Sequence, residues 1–183
     1  VIMENQMEML PHWNLQHLQV KYYRGESCPS WLQPNLLPML RSLEFHWCGV
    51  KSIPFFVPFD VSLDSTPSDN INRLEELAIH YCEQISWQGS ILLPTSLRKL
   101  TLVKSGYSMD RFVSCFLDLT SLTYLEIKDC ESLTSIPLHV WRRNLPALEE
   151  LYIEGCDNLT SIVSEASGSS SSSAVTGFLS LAK

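Results

Sequence analysis

Two histidines are the residues of this 183-residue chain that come nearest to a metal site. His46 and His80 hold the same place in two copies of a repeated phrase, so a repeating fold could bring their imidazoles together on one surface. No carboxylate or thiolate at a suitable spacing completes a tetrahedral ligand set with them, and we therefore predict no metal. The phrases typical of phosphate-binding loops, dinucleotide sites, zinc proteases and serine hydrolases are absent from the sequence. We expect neither an enzyme nor a cofactor.

Four of the six cysteines also hold a fixed place in the repeated phrase. Cys48, Cys82, Cys130 and Cys156 each lie eight residues after a leucine. A small, buried side chain that offers a weak hydrogen bond to free backbone groups would explain this spacing without a disulfide. Neighbours such as Cys130 and Cys156 would lie about 5 Å apart, which is close enough to bridge. We favour reduced thiols, and hence a reducing compartment, because the chain is long enough to bury a core without crosslinks.

The repeated motif itself predicts the elements that position these side chains. It has the pattern L-x-x-L-x-L-x-x-C, with substitutions, and it occurs six times. Its three apolar places are filled by Leu15-Leu18-Val20, Leu40-Leu43-Phe45, Leu74-Leu77-Ile79, Leu97-Leu100-Leu102, Leu122-Leu125-Ile127 and Leu148-Leu151-Ile153. The first leucines are 25, 34, 23, 25 and 26 residues apart, which is the leucine-rich-repeat length with one insertion. Each unit predicts a strand, at 15–21, 40–46, 74–80, 97–103, 122–128 and 148–154. Residues 1–162 are thus predicted to form an α/β leucine-rich-repeat solenoid of about six repeats, built on a curved parallel sheet.

The segments that return the chain from one strand to the next are predicted to differ from one another. Ser108 to Leu119 carries apolar residues at helical spacing behind a serine N-cap, and it predicts one short helix on the outer face. The phrases SIPFFVPF, from Ser52, and SIPLHVW, from Ser135, contain prolines that break a regular helix. We expect extended or single-turn backbone in both, and an irregular convex side.

The C-terminal residues predict a loop followed by the start of a further, incomplete repeat. Serine and glycine in the stretch 163–177 cannot bury enough apolar area to offset the entropy of ordering, so this stretch predicts a mobile loop. The phrase SLAK, from Ser180, is similar to SLRK, from Ser96, at the start of the fourth unit. We therefore expect 178–183 to begin a truncated further repeat, which would leave the edge of the sixth strand open.

Alternation along each strand points the third, fifth and seventh residues of a unit outward, and the eighth residue follows at the strand end. Aromatic residues are common at these places, and they contribute strongly to the energetics of protein interfaces. Each ring could instead cover its cross-strand neighbour and support the sheet. We predict a partner-binding concave face that consists of Tyr22, Glu44, His46, Trp47, His80, Tyr81, Lys99, Tyr124, Glu126, Lys128, Tyr152 and Glu154.

The charge of the chain favours a protein partner over nucleic acid or an anionic membrane. The formal net charge is −7, and only 13 Lys and Arg residues are scattered along the sequence, whereas binding phosphates needs clustered basic residues. No apolar run approaches the roughly 20 residues that a membrane helix needs. We predict no nucleic-acid partner and no membrane partner. The mixed, mildly acidic face suits a basic or mixed-charge protein surface.

Several phrases together resemble one branch of the leucine-rich repeats, that of plant intracellular immune receptors with a nucleotide-binding module. The phrases are SLTYLEIKDCESLTSIP, LEELYIEGCDNLTSI, SLRKLTL and CPSWL, and they extend over roughly residues 10–162. They look like that family's L-x-x-L-x-I-x-x-C-x-x-L-x-x-I-P unit and the Pro-x-Trp-Leu phrase that precedes it. Tyr23 and Ser105 stand where the first and fourth units of the pattern would have cysteine.

The resemblance implies a non-enzymatic recognition and autoinhibitory domain of a disease resistance receptor. Its partners would be a protein ligand, either a pathogen effector or the host target of one, and the receptor's own upstream nucleotide-binding module. It also implies a location in the cytoplasm, with the nucleus as the alternative. The competing interpretation is the substrate-binding horseshoe of an F-box-type ubiquitin-ligase adaptor, and an F-box helix bundle upstream of Val1 would distinguish it.

Overall fold

The structure, a computed structural model, describes residues 12–55, 57–58, 73–87, 91–106, 116, 119–163 and 179–180. Its elements in chain order are β1 His17–Lys21, β2 Ser42–His46, β3 Val57–Pro58, β4 Glu76–His80, β5 Ile91–Leu92, β6 Lys99–Val103, β7 Tyr124–Lys128, β8 Ser135–Pro137, α1 Leu138–Asn144, β9 Glu150–Glu154, β10 Ser161–Val163 and β11 Leu179–Ser180. Strands of five residues alternate with long returns, as a solenoid with one strand per repeat requires.

The main sheet contains six parallel strands in the order β1, β2, β4, β6, β7 and β9, followed by β11. Equivalent places of successive units are paired, so that Leu43 lies beside Leu77 and Leu125 beside Leu151. This register repeats without slippage from β1 to β9. The predicted leucine-rich-repeat solenoid is confirmed.

The six strands end at the predicted residues but begin two residues later than predicted. The first leucine of a unit lies in a turn: the N–H groups of Leu97, Leu122 and Leu148 donate to the carbonyl three residues earlier, at 3.1 to 3.2 Å. The side chain is still buried, because the turn aims it at the core. A leucine period therefore shows which residues are buried, but it does not show where the sheet hydrogen bonds begin.

The core is a single cluster that runs under the whole sheet. The second leucines of the last five units, Leu43, Leu77, Leu100, Leu125 and Leu151, are all at most 1% exposed. β1 is less covered, since Leu18 and Val20 are only partly buried and pack against the edge of the cluster. The expectation that these leucines line a shared core is confirmed for the five central and C-terminal units.

The prediction for the return segment from Ser135 is half wrong. Ser135–Pro137 is extended, as expected, and pairs in parallel with Ser161–Val163. The next seven residues, however, form the helix Leu138–Asn144. Pro137 precedes the helix, where its missing N–H removes no helical hydrogen bond, so the proline begins the helix instead of breaking it. The helix buries Trp141, whose ring meets Phe116 edge to face at 5.3 Å.

Two other predictions for the returns fall mainly on residues that the structure does not describe. Of the helix predicted for Ser108 to Leu119, only Phe116 and Leu119 are described, and both are buried. The serine-rich loop predicted for 163–177 lies outside the described residues apart from Val163. Both stay predictions.

The expected open edge of the sixth strand is wrong at the two positions where Leu179 and Ser180 are described. Leu179 pairs with Leu151 and Ser180 with Glu150, so part of the edge of β9 is covered. This pairing is antiparallel, whereas the strand of a further repeat would run parallel. A truncated repeat at 178–183 stays a prediction for the remaining residues of that segment.

Candidate protein-binding face

The strand face, defined as the side of the main sheet opposite the core, carries the third, fifth and seventh residues of each unit. Burial alternates along β4, β7 and β9 as this arrangement requires. Ser42, Thr101 and Val103 are exceptions, because they are buried although they lie on the strand face. Val103 is flanked in register by the larger side chains of His80 and Lys128, which cover it.

The two histidines form a stacked pair in the N-terminal half of the strand face, on β2 and β4. Their rings are 4.5 Å apart and only 3° from parallel, as expected for residues in register on β2 and β4. Glu44 Oε2 lies 3.2 Å from His46 Nε2, and the amide of Gln19 donates to the same carboxylate at 2.6 Å. Nowhere in the described residues do three or more His, Cys, Asp or Glu side chains form a group able to hold a metal ion.

The electrostatics of the histidine pair favour neutral His80 and charged Glu44. Burial, and then the neighbouring His46, lower the pKa of His80. The hydrogen bond to His46 is the largest cause that lowers the pKa of Glu44, and the Gln19 amide adds to it. His80 therefore contributes an aromatic, largely uncharged surface beside one carboxylate near neutral pH.

Next to the histidines lies a second stack, made by the eighth residues of the same two units. The rings of Trp47 and Tyr81 are 4.2 Å apart and 3° from parallel. Trp47 is 54% exposed, and Tyr22, the equivalent residue of the first unit, is 69% exposed. Large apolar side chains with this exposure are unusual on a solvated sheet and are typical of interaction surfaces.

Backbone geometry explains why the eighth residues project from the edge of the sheet. We name them the turn row: Tyr22, Trp47, Tyr81, Lys104, Asp129 and Gly155. All six have positive φ, between 45° and 64°, a region that residues with a Cβ rarely adopt. The N–H of each of the first five donates to the carbonyl of the seventh residue in the next unit, at 2.7 to 2.9 Å. A continuous ladder of hydrogen bonds between units thus offsets the backbone strain of the left-handed turns.

A sulfur ladder supports the turn row from the core side. The N–H of Cys48 donates to Cys82 Sγ at 3.3 Å, and the thiols of Cys48, Cys82 and Cys130 donate to carbonyls two residues earlier. All described cysteines are free, in agreement with the prediction from their spacing. Burial raises the pKa of both Cys82 and Cys130 to about 11, so these thiols are structural rather than reactive.

The C-terminal half of the strand face is charged, and its charges are paired within the protein. Lys128 Nζ lies 2.7 Å from Glu126 Oε1 and 3.3 Å from Glu154 Oε2. The hydroxyl of Tyr124 donates to Glu126 at 3.1 Å, and that of Tyr152 donates to Glu150 at 2.7 Å. The polar groups of this half therefore largely satisfy one another.

The pKa shifts of this half follow from the same pairing. Burial, and then the hydrogen bond to Glu126, raise the pKa of Tyr124 to about 12. Burial would raise the pKa of Glu126, but hydrogen bonds from Lys128 and Tyr124 outweigh it and lower the value. The hydrogen bond to Glu126 raises the pKa of Lys128, and both partners stay charged. Lys99 completes the group with its ammonium 4.9 Å from the centre of the Tyr124 ring.

The structure describes all twelve residues of the predicted partner-binding face and places them on the strand face or the turn row. It divides them into two groups that the sequence did not distinguish. The aromatic group is Tyr22, Glu44, His46, Trp47, His80 and Tyr81, and the ionic group is Lys99, Tyr124, Glu126, Lys128, Tyr152 and Glu154. Gln19 and Glu150 belong to these groups by their hydrogen bonds, and cross-strand register would have indicated both.

Comparison with known proteins agrees with this architecture. The family model described as R13L1/DRL21 LRRs matches residues 3–82. Among solved structures, the leucine-rich repeat domain of the type III effector XCV3220 (XopL) is similar, with a TM-score of 0.55 and 21% sequence identity. The alignment covers 80% of this chain and 47% of that one, so this chain spans about half the length of its structural relative. No curated protein matches the sequence.

These likenesses define the class of protein. The fold is that of a leucine-rich-repeat solenoid, a class whose members generally bind protein partners and typically have no enzymatic role. Within the described residues, no helix has the length and apolar character to cross a membrane.

Proposed function

We propose that this chain is a protein-recognition domain and that its primary contact surface is the aromatic group, which lies on the strand face and the adjoining turn row. The observation that carries the proposal is the stacked pair of Trp47 and Tyr81, in which Trp47 is 54% exposed and Tyr81 is partly exposed. A rigid aromatic pair loses little conformational entropy on binding and buries a large area, and such residues commonly dominate interfaces.

We further propose that the chain serves in a plant disease resistance receptor. The match to R13L1/DRL21 LRRs over residues 3–82 supports this setting, since that family is plant resistance-protein-like. In such a receptor the domain would sense a pathogen effector or its host target in the cytoplasm or nucleus. It would also contact the upstream nucleotide-binding module and hold it inactive.

The proposed mechanism is a two-state balance. Contacts between this domain and the nucleotide-binding module favour the closed receptor, and a ligand that binds the open form more tightly shifts the population. The shift cannot exceed the ligand's difference in affinity for the two forms. The exposed aromatic pair suits either role, because either partner would bury the same rings.

Proximity labelling in the source tissue tests the proposal. The receptor that contains this chain is fused to a labelling enzyme, and the labelled proteins are compared between the natural sequence and Trp47→Ala. We expect specific protein partners that are lost in Trp47→Ala, while Glu149→Ala, on an exposed site outside both groups, retains them. The proposal would be contradicted if Trp47→Ala left the set of labelled proteins unchanged, or if that set consisted mainly of nucleic-acid-binding proteins.

A further inference from the structure

The first unit carries two unpaired cations at the end of the turn row that holds the exposed rings. Lys21 is the last residue of β1, Arg24 follows three residues later, and both are exposed. Within the described residues neither one forms an ion pair, whereas Lys51 is bound to Glu26 at 2.6 Å. The charges of Lys21 and Arg24 are therefore available to a partner.

Backbone pairing brings these cations beside the most exposed rings of the turn row. Lys21 is in register with His46, the residue before Trp47. The Arg24 carbonyl lies 3.3 Å from the position that a Cβ on Gly49 would take, two residues after Trp47. Both cations thus border the turn that carries the Trp47 ring. The basic aromatic patch, as we name this surface, consists of Lys21, Tyr22, Arg24, Trp47 and Tyr81.

We propose that the basic aromatic patch binds a short, extended, acidic segment of the partner protein. A carboxylate of that segment would lie beside Lys21 and Arg24, and an aromatic or apolar side chain would lie against Trp47. The inference rests on the proposed function, because it takes the aromatic group as the contact surface, and it names the chemistry of the partner. The net charge of −7 favours a basic partner for the chain as a whole. Charges at the contact itself decide which segment docks there and in which orientation.

Carboxylates on the neighbouring units are already paired with other groups. Glu44 lies three residues before Trp47 on β2, or about 10 Å along the strand. Its Oε2 accepts from the Gln19 amide at 2.6 Å and lies 3.2 Å from the His46 ring. In the third unit, Glu83 lies 3.5 Å from the Lys104 ammonium. These pairings leave the basic aromatic patch with an excess of positive charge.

The opposite end of the turn row favours a short segment over a long polyanion. It carries the exposed carboxylates Asp129, Glu131 and Asp157. Asp129 is four strand spacings from Tyr22, or about 19 Å. A nucleic-acid strand along the row would bring its phosphates against these carboxylates, whereas an acidic segment of about five residues would end before them. The distribution of charge therefore favours an acidic peptide.

The spacing of the units predicts the order of residues in the segment. Trp47 and Tyr81 are one and two strand spacings from the first unit, or about 5 and 10 Å. An extended chain rises about 3.3 Å per residue, so about two or three residues separate the carboxylate from the ring. Tyr22, which is 69% exposed, adds a hydroxyl that can donate to the carboxylate. The expected segment therefore has an acidic residue and an aromatic residue two or three positions apart.

Nuclear magnetic resonance of the ¹⁵N-labelled chain tests this inference with the peptide acetyl-Glu-Asp-Gly-Trp-amide as the probe. The peptide acetyl-Gln-Asn-Gly-Trp-amide keeps the ring without the charge, and acetyl-Lys-Arg-Gly-Trp-amide reverses the charge. The titrations use about 0.15 M salt, at which charge effects are screened beyond about 8 Å. We expect saturable shifts of the backbone amides of Tyr22, Trp47 and Tyr81 with the acidic peptide.

The neutral peptide should bind about fivefold or more weakly than the acidic one, because two exposed charge contacts are lost. The basic peptide should bind more weakly still. Equal affinities of the acidic and neutral peptides, or the tightest binding by the basic peptide, would overturn the inference. A single strand of four thymidine nucleotides is the last probe. Tighter binding of this strand than of the acidic peptide would show a nucleic-acid site and would also overturn the inference.

Three variants with the same change of charge locate the contact. Lys21→Gln and Arg24→Gln should each weaken the binding of the acidic peptide about two- to fivefold and leave that of the neutral peptide unchanged. Arg98→Gln is the matched control, since Arg98 is exposed and lies just before β6, at the opposite end of the strands from the turn row. It should leave the binding of both peptides unchanged. An equal loss in all three variants would contradict a specific contact.

Failure of this inference is distinguishable from failure of the proposed function. If Trp47→Ala abolishes partner labelling and the acidic peptide binds no better than the neutral one, only the inference about charge is wrong. If the acidic peptide binds as expected and Trp47→Ala leaves labelling unchanged, the basic aromatic patch is a peptide site and the proposed function is wrong.

Discussion

The two halves of the strand face have the same backbone and opposite surface chemistry. In the second and third units, His46 stacks on His80 and Trp47 on Tyr81, and Trp47 remains 54% exposed. In the fifth and sixth units, Lys128 is already bound by Glu126 and Glu154. The same repeat position can therefore present an open contact surface or a closed ionic network.

This difference follows from what each side chain can do with its neighbour in register. Rings one strand apart can stack, and a stacked ring at the edge of the sheet can still present a large exposed area, as Trp47 does. Opposite charges one strand apart neutralise each other, and a partner would have to break the pairing before using either charge. We infer that the aromatic half contributes most of the binding free energy and the ionic half contributes mainly orientation.

Loss of a core leucine should have the largest effect on stability, and the effect should be similar in the two halves of the sheet. Leu43→Ala and Leu125→Ala remove side chains that are fully buried in the same cluster. Each should lower the free energy of unfolding by about 2–5 kcal/mol. Thermal or urea denaturation monitored by circular dichroism measures the change. A much smaller loss at Leu43 would show that the N-terminal half is not part of one cooperative core.

Two substitutions at equivalent places of the turn row should change the free energy of unfolding in different directions. Gly155 has φ +64°, and a Cβ there would clash with the Asp129 carboxylate. Gly155→Ala should therefore cost about 1–3 kcal/mol. Lys104→Gly, at the same place in the fourth unit with φ 45°, should be neutral or slightly stabilising because it relieves backbone strain. Equal destabilisation of both variants in urea titrations would contradict the left-handed turn row.

The ionic half should contribute little to stability. Lys128→Met removes both of its ion pairs but keeps most of the side-chain volume. It should change the free energy of unfolding by less than about 1 kcal/mol, because the lysine is partly exposed. The effect should shrink further at 1 M salt, where exposed charges are screened. A loss as large as that of Leu125→Ala would mean that the network is structural.

Substitution in the histidine pair should have the smallest effect on stability, and this effect should depend on pH. His80 has a lowered pKa in the folded state, so folding favours its neutral form. This contribution is present above the unfolded value near 6.5 and is lost as pH falls through the lowered folded value. Between pH 7 and a pH below the lowered pKa of His80, the melting temperature of the natural sequence should therefore fall further than that of His80→Phe. Parallel pH profiles for the two would show that His80 is not desolvated.

The sequence predicted the repeat, the strand register and the core because a buried leucine at a fixed period is a strong constraint on a solenoid. It did not predict the helix after Pro137, since proline both breaks and begins helices and the position decides which. The left-handed turn row was also missed. Only Gly155 indicates positive φ by residue type, and the other five places are held there by hydrogen bonds between units.

Alternation in the sequence indicated that all twelve residues of the predicted partner-binding face share one side of the sheet or its edge, but it did not indicate their pairings. Alternation decides which side of a sheet a residue occupies, whereas stacking and ion pairing depend on side-chain rotamers and on the neighbouring strand. The division between Trp47 with Tyr81 and Lys128 with Glu126 and Glu154 therefore required the structure.

The most direct test of the central claim is the affinity of one identified protein partner for matched variants of the two halves. We predict that Trp47→Ala raises the Kd at least about 30-fold, as expected for an interface hot spot. Lys128→Ala should raise it less than about fivefold, as expected for an already paired surface charge. Circular dichroism should show both variants folded. A larger loss for Lys128→Ala than for Trp47→Ala, or unfolding of Trp47→Ala, would contradict the claim that the aromatic half is the recognition surface.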